Sequence, residues 1–219
     1  MSSQHAVVRG LVAAAVVMII VAAAVTTGVL VALNRVPGTP VSGYAGTRLP
    51  AGMSPPLSSD APAAIVGATA SCTSGPGVDS ADNRFTYEAA NAVDRQPDTA
   101  WRCDHDGVGA SLLLTFDQPA SISWIGVVPG FAKTDPYDGT DRYRQGRKVS
   151  AARFVFDDGT YVTADFDTGS TSRGMQVVRF APTTTAHVDM IVLASVPGSP
   201  TNGSGPTDKI AISELTIGT

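Results

Sequence analysis

Two hydrophobic patterns divide the chain. From Leu11 to Leu33, 23 consecutive residues carry no charge. As a helix rising about 1.5 Å per residue they would extend roughly 35 Å, enough to cross a hydrocarbon core of about 30 Å. Apolarity on every face of such a helix argues against a buried core element. A cleaved secretory signal would end near a small-x-small site such as Ala22-Ala23-Ala24. The run continues through Val25 to Leu33, however, so an uncleaved transmembrane helix over residues 11–33 is expected ahead of a cleaved signal.

After about Ala63 the period changes to two. Leu112, Leu114 and Phe116 alternate with polar or smaller neighbours, and Ile122, Trp124 and Val128 follow Gln118-Pro119. Ala152, Phe154 and Phe156 lead into Asp157-Asp158-Gly159-Thr160, and Val162, Ala164 and Phe166 leave it. An Asp-Gly between two alternating runs predicts a hairpin, because glycine admits the positive φ of such turns. Ile65–Ala70, Met175–Phe180, Val188–Leu193 and Ile210–Ile217 complete the set. Helical periodicity is limited to about one turn near Tyr87 to Val93. Short strands separated by turn signals predict an all-β fold, an antiparallel jelly-roll β-sandwich, following the single N-terminal transmembrane helix. The domain boundaries expected are 1–10 for a short tail, 11–33 for the span, 34–62 for a linker and 63–219 for the β-sandwich. The linker assignment rests on composition: Val36-Pro37-Gly38-Thr39-Pro40 and Leu49-Pro50-Ala51-Gly52-Met53-Ser54-Pro55-Pro56 predict an extended or disordered spacer.

Charge removes one class of partner. All 19 acidic residues lie at or after Asp60, and residues 36–219 hold 13 basic residues against them, a balance of −6. Nonspecific nucleic-acid binding needs the opposite excess. The positive-inside rule is nearly balanced, with the amino terminus and Arg9 before the span and Arg35 and Arg48 after it. Cys72 and Cys103 are the only cysteines. A lone pair in an extracytoplasmic domain points to one disulfide, with two buried thiols or a zinc site using His105 as alternatives. That pair favours an N-terminus in the cytoplasm and a C-terminal domain outside it.

Enzyme signatures are absent: there is no GxSxG, HExxH, P-loop or Gly-rich turn before a helix. No catalytic residue is expected. The segment Lys133 to Lys148 gathers Arg142, Arg144, Arg147 and Lys148 with Tyr137 and Tyr143 between strands. Planar rings and forked donors suit sugars or anionic polymers, so Tyr137, Arg142, Tyr143, Arg144 and Arg147 are candidate ligand-binding residues. The alternative is that these arginines pair with Asp135, Asp138 and Asp141 and only shape the loop.

One stretch carries more than composition: Tyr87-Glu88-Ala89-Ala90-Asn91-Ala92-Val93-Asp94-Arg95-Gln96-Pro97-Asp98-Thr99-Ala100-Trp101. With Trp124 and the terminal Ala211-Ile212-Ser213-Glu214-Leu215 it resembles the discoidin (coagulation factor 5/8 type C) superfamily. Gly107-Val108-Gly109, Gly130-Phe131-Ala132-Lys133, Asp141-Arg142-Tyr143, Arg147 and Asp157-Asp158-Gly159 resemble a bacterial subgroup of it. That subgroup is related to the glycan-binding translocation domain of a streptococcal NAD glycohydrolase, whose NAD-cleaving activity resides in a separate domain. The resemblance implies a noncatalytic binding module for cell-envelope or host glycans. An envelope scaffold contacting another membrane protein, with no sugar site, is the alternative. It also implies a structural Ca²⁺ held by Asp94, Thr99 and Glu214, since Ca²⁺ favours clustered hard oxygen ligands. Glu214 shares its strand face with Ile210 and Ile212, a costly place for an unpaired carboxylate. Arg95 stands where the family has Gly, so a metal-free loop in which Arg95 satisfies a carboxylate is the competing expectation. The implied partners are therefore the lipid bilayer through residues 11–33 and a glycan or another envelope protein.

Overall fold

The alternating runs become strands in the computed structural model, which describes residues 39–40, 48–52, 61–79 and 81–219. The strands are β1 (Thr39–Pro40), β2 (Arg48–Pro50), β3 (Ile65–Ala70), β4 (Gly77–Val78), β5 (Arg84–Phe85), β6 (Trp101–Asp104), β7 (Ser111–Val128), β8 (Gly146–Phe156), β9 (Thr160–Asp165), β10 (Gln176–Val196), β11 (Thr207–Ile212) and β12 (Glu214–Gly218). Among the described residues helix is confined to a 3-10 turn at Ala89–Ala92 and one short α1 (Arg142–Gln145). The expected tail 1–10 and membrane span 11–33 lie outside the described residues. Among the described residues no helix is long and apolar enough to cross a membrane.

Two long strands organise the sheet. β10 pairs antiparallel with β7 on one side and with β8 on the other, and β9 flanks β8. Along the far side of β7, β3 pairs with its first half and β12 with its second, as in Ala68↔Leu114 and Ile217↔Ile125. The turn at Asp157–Thr160 joins β8 to β9 as the sequence predicts, with Gly159 at φ +78°. Pairing is not antiparallel throughout: β11 runs parallel to the start of β8 while lying antiparallel to β6. The apolar faces enclose a main core that includes Trp101, Leu112, Leu114, Ile122, Phe154 and Met190, with a smaller buried cluster of Tyr87, Ala100, Phe131 and Ala211 beside it. Burying a side chain of this size is worth about 1.5–3 kcal/mol, which is what folds the sheet over on itself as a β-sandwich.

Each long strand runs through a proline. Sequence pattern separates Leu112–Phe116 from Ile122–Val128 at Pro119, and Met175–Phe180 from Val188–Leu193 at Pro182. Both prolines fall where the β7–β10 register shifts, between Thr115↔His187 and Ala120↔Thr185, and between Arg179↔Trp124 and Thr183↔Ile122. A bulge needs no ladder donor from the inserted residue, so proline is tolerated and the strand continues beyond it.

Cys72 and Cys103 are joined by a disulfide with their Cα atoms 5.6 Å apart. It ties the segment after β3 to β6, and Trp101 Nε1 donates to the Cys72 carbonyl across the same junction at 2.8 Å. The domain also reaches further toward the N-terminus than composition implies. Inside the stretch read as linker, β2 lies parallel to β9, Arg48 Nη1 meets Asp165 Oδ1 at 2.9 Å, and Leu49 and Ala51 pack against the core. The compact unit accordingly comprises Gly38–Thr219.

Candidate functional site

The Asp94 loop is built locally. Asp94 Oδ1 accepts the Gln96 amide at 2.8 Å and its Oδ2 accepts the Thr99 hydroxyl at 2.7 Å, closing the turn. Arg95 takes φ +63°, a left-handed conformation that glycine adopts without steric cost. Asn91 Nδ2 bonds the Thr86 and Ala100 carbonyls and so pins both ends of the segment.

Glu214, at the start of β12, comes to this loop from the other end of the domain sequence. It is 7% exposed, and neither carboxylate oxygen has a hydrogen-bond partner. Burial pushes its carboxyl up to about 7; the Asp94 charge adds to that, and the nearby Arg95 and Leu215 amides partly oppose it without making hydrogen bonds of normal geometry. The Arg95 charge also opposes the rise, but its guanidinium forms no hydrogen bond with either carboxylate oxygen. Among the described residues no group of three or more His, Cys, Asp or Glu side chains is placed to hold a metal.

The Lys133–Lys148 segment is organised largely by its own ion pairs. Arg142 Nη2 lies 2.7 Å from buried Asp135 and 3.7 Å from Asp138, and Arg147 Nε lies 2.5 Å from Asp208. Asp141 caps α1 by accepting the Arg144 amide and pairs with Arg173. Tyr143 is a correction to the sequence reading: it is fully buried, donates its hydroxyl to the Ser172 carbonyl at 2.7 Å, and offers no face to a ligand. Burial raises its phenol strongly. Its aromatic ring fills the space beneath Gly130, where an added Cβ would stand 2.6 Å from it. Tyr137 and Arg144 are exposed, with Tyr137 Oη accepting a bond from Asn83 at 3.2 Å.

Two clefts adjoin the start of this segment and the Asp94 loop, and Arg142 alone of the five predicted ligand residues lines one of them. Phe85, Tyr87 and Phe131 stack edge to face, with centroids 5.5 Å and 6.2 Å apart, as a short aromatic wall. The Arg102 guanidinium lies over Tyr87 at 4.4 Å, and Lys133 Nζ over Phe85 at 5.0 Å. Next to these rings a cleft of about 110 Å³ is lined by Arg102, Lys133, Asp135, Arg142 and Lys209. An adjoining, wider one of about 380 Å³ is lined by Asn91, Asp94, Gln96, Asp98 and Thr99. Phe85, Tyr87, Phe131 and Lys133 border both. Tyr87 and Gly130–Lys133 stand in the sequence motifs, but Arg102 and Lys209 carry no motif. Their arrival here depends on the β6–β11 register, which pairs Ala211 with Arg102.

Residues 67–218 match the sequence model of the NAD glycohydrolase translocation F5/8 type C domain. No curated protein matches the chain. Among solved structures it is similar to the family 32 carbohydrate-binding module of AlyQ in complex with 4,5-unsaturated mannuronic acid, at 14% identity, covering 72% of this chain and 97% of that one, TM-score 0.45. A Clostridium perfringens module of the same family, in complex with GalNAc-β-1,3-galactose, is 14% identical over 69% of this chain and 93% of its own, TM-score 0.47. The family 32 module of C. perfringens NanJ, in complex with galactose, is 15% identical over 73% and 100%, TM-score 0.46.

Proposed function

Because the chain belongs to the NAD glycohydrolase translocation F5/8 type C domain family, we propose that it is a noncatalytic glycan-binding module of discoidin jelly-roll form, held at the outer face of a cell membrane. The observation that carries this reading is the pair of adjoining polar clefts, one lined by Arg102, Lys133, Asp135 and Arg142 and the other by Asn91, Asp94, Gln96 and Thr99, which meet at the buried Tyr87 and Phe131. A sugar offers a circle of hydroxyls, and clefts with convergent charged and amide groups match it. The uncharged run of residues 11–33 supports a single membrane span, and the disulfide supports an oxidising compartment for the domain.

The residues around Glu214 fit a hard cation. Its two buried oxygens lack partners, and the Asp94 and Thr99 oxygens share the loop beside it. Asp94, Thr99 and Glu214 would hold Ca²⁺ with backbone carbonyls; the ion would supply the positive charge that joins β12 to the loop. Asp94 and Thr99 line the wider cleft, so the same loop positions Asn91, Gln96 and Asp98 for ligand hydroxyls.

A glycan array probed with the purified full chain tests the proposal. Retention of a defined set of structurally related glycans is expected. An array on which cooperatively folded protein retains none would overturn the glycan reading and favour an envelope scaffold that contacts another membrane protein.

A further inference from the structure

Ion pairing around the narrower cleft is uneven. Four cations line it, and two are neutralised: Arg142 by Asp135 at 2.7 Å, and Lys209 by Asp104 at 2.7 Å. Arg102 and Lys133 have no carboxylate in ion-pair range among the described residues; each instead lies over an aromatic ring. Both are half-buried. A guanidinium resting on a ring keeps its N–H donors in its own plane, at right angles to the stacking contact, and the ring fixes that plane. Two uncompensated cations in a concave site therefore stand out in a domain whose residues 36–219 carry a balance of −6.

The wider cleft has the opposite character. Asp94 and Asp98 line it with Asn91 and Gln96, and Lys133 borders both sides. A ligand with negative charge along its whole length would meet these aspartates and be repelled. A ligand with one carboxylate beside a neutral, hydroxyl-rich unit would satisfy both clefts at once.

Resting on the glycan-binding function proposed above, we infer that the ligand is an acidic saccharide: a uronic-acid-type carboxylate sits against Arg102 and Lys133, and an adjoining neutral sugar sits on the Asn91–Thr99 side of the Tyr87–Phe131 wall. The Arg102 fork suits a carboxylate through paired donors.

Isothermal titration of the purified full chain in detergent micelles tests this. The probes are matched oligosaccharide pairs, each containing a single uronic acid (glucuronic, galacturonic or mannuronic) or the corresponding neutral hexose, with hexaglutamate as a non-sugar anion. At least one acidic member should bind about tenfold more tightly than its neutral partner, a difference of about 1.4 kcal/mol. That advantage should shrink as salt rises and the charges are screened. Lys133→Gln should remove most of it. Arg102→Lys, which keeps the charge and loses the fork, should remove part of it without unfolding the domain. Equal binding of acidic and neutral members would overturn the acidic assignment and leave the glycan reading standing. Failure of every saccharide would overturn the glycan reading itself. Hexaglutamate binding as tightly as the best acidic sugar would also overturn the assignment, since charge alone would then suffice.

Discussion

Replacing Glu214 by Gln removes a charge while keeping the side chain's shape, and the structure sets the sign of the result. In the metal-free protein the carboxylate is 7% exposed and unpartnered, and burial lifts its pKa from 4.5 to about 7. The folded state thus binds a proton between those values that the unfolded chain releases. A carboxyl raised in this way costs stability as pH climbs: the penalty is absent below about pH 4.5, grows through the interval, and is complete above about pH 7. At about 1.4 kcal/mol per pH unit, the interval amounts to about 3 kcal/mol. For a domain of this size that corresponds to about 6–12 °C in Tm. In chelator, Glu214→Gln should therefore melt close to wild type near pH 5 and above it near pH 8. Ca²⁺ added at pH 8 should raise the wild-type Tm by mass action, because an ion bound only to the native state stabilises it. The variant should lose most of that gain. Scanning fluorimetry at the two pH values, with and without Ca²⁺, reads all four states. Identical pH profiles for the two proteins in chelator, together with indifference of both to Ca²⁺, would refute a buried, cation-seeking carboxylate at this position.

Tyr143→Phe should lower Tm by a few degrees through loss of the buried bond to the Ser172 carbonyl, about 1 kcal/mol, and leave glycan affinity unchanged; lost affinity at constant Tm would return Tyr143 to the ligand site. Reducing the Cys72–Cys103 bond, whose partners are 31 residues apart, should cost about 3–4 kcal/mol on the chain-entropy estimate. Melting curves with and without reductant measure this, and coincident curves would contradict a stabilising crosslink.

The all-β character, the β8–β9 hairpin and the cysteine pair were all legible in sequence because each rests on local chemistry. Alternation marks a half-buried strand, Asp158-Gly159 marks a turn, and two lone cysteines mark each other. The continuity of β7 through Pro119 was not legible, since a proline reads as a break unless the opposing strand is known to bulge. The packing of Leu49 and Ala51 was hidden by surrounding prolines and glycines. The site divided in the same way. Asp94, Thr99 and Glu214 could be singled out only through the family resemblance, and the structure places Glu214 near Asp94 and Arg95. The arginines and tyrosines of the Lys133–Lys148 segment were grouped by composition, which does not distinguish Tyr143, buried under Gly130, from exposed Tyr137. Arg102 sits beside Cys103 in an unremarkable strand. Its role follows only from the aromatic rings that tertiary packing places around it.

Where the ligand sits is tested most directly by hydrogen–deuterium exchange of the full chain with and without a saturating glycan identified on the array. The predicted result is slowed exchange over residues 84–87, 100–103 and 130–134, the three segments that build the wall and its cations. Protection confined to the surface around Tyr137 and Arg144, with those three segments unchanged, would contradict it.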